Sequence, residues 1–159
     1  MCQINTKFSA LAIMESIRDW EAWNIAKAQV EVEFNQCKLR LQAYQRKAFS
    51  LRAQSLTKQA VAAAERARQE VQTKPMHFSQ EARQAAETRA LAMRQLARRF
   101  EVDIGFRMAW LKEDPEWQER KRQVSLAAER LKNVETKKEA VSRRVQAYLE
   151  TKEQFLPLV

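Results

Sequence analysis

From Phe8 to Thr73 the chain runs without a single glycine or proline. Glycine supplies the positive φ of tight turns, and proline removes a backbone donor, so the two punctuate secondary structure. A stretch this long with neither cannot be cut into strands, because two-residue hairpins depend on Asn-Gly, Asp-Gly or Gly-Gly turns. The whole chain is similar, with one Gly and three Pro among 159 residues. Ala, Gln, Glu, Lys, Arg and Leu take their place, and these residues lose least on entering a helix. The predicted fold class is all-α. At 1.5 Å per residue the first helix would reach ~100 Å if unbroken, a length usual in coiled coils. The expected form is an elongated long-helix coiled coil or helical hairpin, with three helical segments in a single domain over 1–159.

The few breakers set the segment boundaries. The first helix is expected over 8–73 and an elbow over 74–79, where Pro75 disfavours helical geometry at Lys74. Ser79 is placed to cap a second helix over 80–111, with Glu81 in its first turn. Gly105 lies inside that second helix, where it is expected to kink the chain or allow a close helix contact rather than break it. A turn over 112–115 follows, with Asp114 as N-cap and Pro115 at the first position of a third helix over 115–155.

Two seams run along these helices. In the first, Val30, Phe34, Cys37, Leu41, Tyr44, Ala48 and Leu51 recur at alternating steps of four and three. The third helix repeats the pattern with Val124, Ala127, Leu131, Val134, Lys138, Val141, Val145 and Tyr148. Apolar residues every 3.5 positions are the mark of coiled-coil packing, so the two seams are expected to face each other or a second copy. Lys138 is the polar intruder, of the kind that sets register at some cost in stability.

The net charge of +9 favours a polyanion or an acidic protein as a neighbour. No acidic residue occurs between Glu33 and Glu65, a stretch holding Lys38, Arg40, Arg46 and Lys47, and Arg94, Arg98 and Arg99 form a second basic run. Spaced along a helix, these seven residues are candidates for nonspecific DNA contact through phosphates. No zinc knuckle, short-helix reading head or basic-zipper order accompanies them, so base-specific recognition is not expected. At the N-terminal end, Phe8, Leu11, Trp20 and Trp23 lie on an amphipathic stretch suited to docking on a partner or a membrane interface. Glu15, Asp19 and Glu21 on its polar face weigh against anionic lipid. Trp110 and Trp117 flank the Asp-Pro corner and are expected to pack it.

Catalytic equipment is sparse. His77 is the only histidine, one glycine cannot build a phosphate-binding loop, and the carboxylates are interspersed with Arg and Lys as on solvated faces. The expectation is a non-enzyme with no cofactor and no small-molecule substrate. Cys2 and Cys37 form no CxxC pair, and Cys37 on the seam is expected to act as a small hydrophobe. No uncharged run reaches the ~20 residues of a membrane span, and no secretory signal pattern opens the chain.

The Met1-Cys2 start, the motif YQRKAF at 44–49 and the Arg-rich MRQLARRF at 93–100 resemble the small α-helical internal virion proteins of short-tailed phages. The resemblance is one of style over residues 1–110 and assigns no individual functional residue. It implies a virion core or ejection-apparatus component that forms homo-oligomers with other structural proteins, inside the capsid or near the portal. The chain departs from that family in lacking a glycine- and alanine-rich apolar segment at its start. It also resembles the coiled-coil stalk proteins of type III and flagellar export ATPases, which implies a cytoplasmic protein. A nucleic-acid-associated coiled coil acting alone is the third alternative.

Overall fold

The computed structural model describes residues 10–73 and 80–154, and the described chain is all-α. Four helices follow in order: α1 (Ala10–Thr73), α2 (Gln80–Val102), α3 (Ile104–Lys112) and α4 (Pro115–Gln154). Phe8, Ser9, His77, Pro75 and the expected elbow at 74–79 lie outside the described residues, as does Phe155. Where length suggests one domain, two compact units form.

The first unit joins the α1 residues up to Leu39 with the α4 residues from Lys121 onward. Lys27 Nζ lies 3.9 Å from Glu135, and Arg130 reaches Glu33 at 3.2 Å. Lower numbers on α1 meet higher numbers on α4, so the two segments are antiparallel. Glu33, Arg130 and Glu135 are about half exposed or more and Lys27 is half-buried, so these pairs contribute little stability and act mainly on register. On α1, Trp20, Trp23, Lys27, Val30, Phe34 and Cys37 are half-buried at steps of three and four, and Val124, Leu131, Val134, Val145 and Tyr148 are half-buried on α4. Among the described residues of this unit, only Ala127 and Val141 are buried. Lys138, the polar seam residue, places its Nζ 5.9 Å from the centre of the Trp20 ring, and Lys137 lies 5.1 Å from that of Trp23. An ammonium over an indole face keeps an electrostatic partner while its stem covers apolar surface, which is how the seam accommodates a lysine.

The second unit comprises residues 40–120 and contains the deeper core. Leu56, Phe100 and Leu111 are fully buried, with Ala67 and Trp117 close behind. Phe100 sits edge-on to three rings: Phe49 at 6.1 Å, Phe106 at 6.3 Å and Trp110 at 5.4 Å. Arginines close over this cluster, with Arg107 5.3 Å from the Phe49 ring centre, Arg52 5.7 Å from Trp110 and Arg99 4.4 Å from Phe106. The Nε atoms of Arg52 and Arg107 are buried and have no hydrogen-bond partner, so the ring faces offset part of their desolvation.

Leu51 requires a correction. Along α1 the packed positions keep the seven-residue period through Leu41, Tyr44 and Ala48, then fall at Arg52, the buried Leu56 and Ala60. Each step of four overshoots a 3.6-residue turn, so the packed stripe walks around the helix. It turns toward the aromatic cluster that α2 and α3 supply, and Leu51, predicted in the seam, is left 56% exposed.

The segment predicted as one helix over 80–111 is also corrected. It breaks at Asp103, whose φ of −96° and ψ of 103° are extended, and α3 begins at Ile104. The Asp103 carboxylate accepts the Phe106 backbone N–H at 3.0 Å, an N-cap bond that replaces an intrahelical partner. Gly105, expected to be the irregular point, lies one residue inside α3 at negative φ. Its role is spatial, because a Cβ there would sit 3.3 Å from Asp103 Oδ1 and crowd the capping group.

Candidate functional site

The Asp114–Pro115 corner carries the most organised side-chain cluster. The Asp114 carboxylate accepts the Glu116 backbone N–H at 2.9 Å and so caps α4 at its first turn, as the Asp-Pro-Glu order suggests. Its other oxygen accepts the Tyr44 hydroxyl at 2.5 Å, which ties the start of α4 to α1. Arg120 lies over the Tyr44 ring, 4.9 Å from its centre, while its guanidinium binds Glu116 at 3.0 Å. Trp117, predicted to pack this corner, is buried, and Trp110 is half-buried against Phe49 and Phe100.

The hydrogen bond to Asp114 raises the Tyr44 hydroxyl pKa well above its ordinary value, with partial burial and the carboxylates of Asp114 and Glu116 adding to it. The same bond lowers the Asp114 carboxyl, helped by the backbone N–H groups of Glu116 and Trp117 and opposed by desolvation. Both shifts move away from neutral pH, whereas a general acid or base needs a pKa near the working pH. This pair is built as a clamp between helices.

The clamp sets a pH profile. A carboxyl lowered in the folded state contributes stability above its unfolded pKa of about 3.9, which is lost as pH falls through the folded value. A phenol raised in the folded state contributes below its unfolded pKa of about 10, and that is lost as pH rises toward the folded value. Asp114→Asn should therefore lower stability by about 1 kcal/mol across neutral pH. In urea titrations, the gap between wild type and variant should close below about pH 4 and again above about pH 10. A gap that stayed constant from pH 2 to 11 would contradict the clamp.

The predicted basic residues do not converge on one surface. Arg40 and Lys47 line a shallow concavity of about 520 Å³ with Tyr44, Glu116 and Arg120. Lys38 lies over the ring of Phe34 one turn before it, at 5.1 Å, and Arg46 is exposed. Arg99 is committed to Asp103 at 3.7 Å and to the Phe106 ring. Arg94 and Arg98 line a groove between α1 and α2 of about 800 Å³, interleaved with Glu65, Glu87 and Glu101.

No protein-family model, curated protein or solved structure matches this chain.

The N-terminal docking candidates separate. Leu11 is 68% exposed, Phe8 lies outside the described residues, and Trp20 and Trp23 turn toward α4 beneath Lys138 and Lys137. No helix among the described residues is long and apolar enough to cross a membrane, and none of them form a cluster able to hold a metal ion. What sequence reasoning missed is the groove. Its signal was present in alanines at Ala60, Ala64 and Ala67 facing Ala90 and Ala97, small residues spaced along one helix face.

Proposed function

We propose that the chain is a non-enzymatic structural protein that works within a homo-oligomeric or larger helical assembly. The observation that supports this is a line of large apolar side chains left outside the first unit. Ile25, Val32 and Leu39 follow one another at a single heptad position, opposite the seam, and Leu11 falls on it two heptads before Ile25 with Arg18 between; the four apolar residues are each more than half exposed. Exposed apolar residues scattered singly need no explanation, but a row repeating every seven residues is a second packing face. The core behind it is thin: Ala127 and Val141 are the only buried residues among those described in that unit.

Within this class a virion core or ejection component is the first choice, supported by the resemblance carried by YQRKAF and MRQLARRF. A cytoplasmic export-ATPase stalk is the second, and portal or ATPase genes as neighbours would separate them. Nonspecific DNA contact through Arg40 and Lys47, which share one concavity, is a secondary property of the same surface. Sedimentation velocity from about 1 to 100 µM should show species of twice the chain mass or more. A monomer throughout that range, with no product on chemical cross-linking, would overturn the assembly role.

A further inference from the structure

We infer that the α1–α2 groove of the second unit is a self-association site, filled by the same groove of a second copy. This rests on the homo-oligomeric role proposed above and names the surface that serves it. The floor is made of Ala60, Ala64 and Ala67 on α1 and Ala90 and Ala97 on α2. Alanines let another helix approach closely, since they leave holes where larger side chains would stand. Two large apolar residues rise beside these holes, Val61 and Leu91, each 53% exposed. Knobs and holes on one surface are what a two-fold partner needs, because each copy supplies both.

Charge identifies the occupant. The groove is lined by three acidic residues, Glu65, Glu87 and Glu101, and three basic ones, Arg68, Arg94 and Arg98. All six are exposed, and none makes an ion pair with another described residue. Arg94 and Arg98, one turn apart on α2 with no acidic residue between them in the chain, repel each other. A chain carrying +9 overall therefore has a groove whose charges balance. A polyanion would meet three carboxylates there. A second copy presents three arginines and three glutamates, the set that can pair with this one. The result is a four-helix arrangement in which Val61 and Leu91 of each copy enter the alanine holes of the other.

Charge reversal tests this directly. One full-length variant carries Glu65→Lys, Glu87→Lys and Glu101→Lys, and another carries Arg68→Glu, Arg94→Glu and Arg98→Glu. At physiological salt each alone should self-associate at least about tenfold more weakly than wild type, equivalent to about 1.4 kcal/mol. An equimolar mixture should recover a heterodimer by sedimentation. Val61→Glu with Leu91→Glu should weaken association as much and should not be rescued by either charge variant. Circular dichroism at 222 nm checks that helicity is kept, and Leu91→Gln alone serves if the double variant loses it. Wild-type association with unchanged strength in the Val61/Leu91 variant overturns the groove site and leaves the assembly role standing. A wild type that stays monomeric overturns both.

Discussion

Phe100→Ala should lower the unfolding free energy of the second unit by about 3–5 kcal/mol, the range for deleting a buried aromatic ring. Phe100 is 1% exposed, and its ring is the one that Phe49, Phe106 and Trp110 all meet edge-on. Its loss removes the transfer energy of a large apolar side chain and three edge-to-face contacts, and it leaves a void that packed helices only partly close. Arg99 and Arg107 feel the change indirectly, because the rings they cover, Phe106 and Phe49, lose a supporting neighbour. Urea unfolding followed at 222 nm, together with tryptophan emission, measures it. A loss smaller than about 1 kcal/mol would show that the cluster is not the centre of this core.

The second large effect is a contrast between two leucines five positions apart. Leu56→Ala should cost about 2–5 kcal/mol, because the side chain is buried to 1% and its removal opens a cavity. Leu51→Ala, at 56% exposure, should change stability by no more than about 0.5 kcal/mol. The same urea titration reads both. Equal costs would mean that the strict seven-residue seam continues past Ala48 after all.

This contrast marks the point at which local sequence stops determining the packing. Helix content was legible because it follows from local terms: the scarcity of glycine and proline, and the helix-forming composition. The start of α4 was legible for the same reason, since Asp114, Pro115 and Glu116 each act within one turn. The α4 seam from Val124 to Tyr148 needed only a steady period. Leu51 was misplaced because the period of α1 changes where α2 and α3 arrive, and a non-local contact leaves no mark on the apolar pattern of α1 itself. The break at Asp103 was hidden behind Gly105. A glycine two residues away draws attention, yet the group that stops the helix is a carboxylate with a free amide to cap. Tyr44 was placed as a seam residue, and nothing in its spacing reveals the bond to Asp114, 70 positions further on. The groove escaped because alanine contributes so little to a hydrophobic pattern that a concave surface built from it resembles an unremarkable helix.

The steady period of the first unit also makes length an adjustable quantity. Seven residues inserted in α1 before Leu39, matched by seven in α4 after Lys121, would add ~10.5 Å of paired helix. Every seam residue would keep its facing, and the Lys27–Glu135 and Arg130–Glu33 bridges would keep their spacing or move as a block. An insertion of three residues would instead swing everything beyond it by ~60° and carry Phe34 and Cys37 off the seam. No such increment exists between Ala48 and Ala60, where the stripe drifts and each side chain has one neighbourhood. The first unit can thus grow or shrink by whole heptads, and the second cannot.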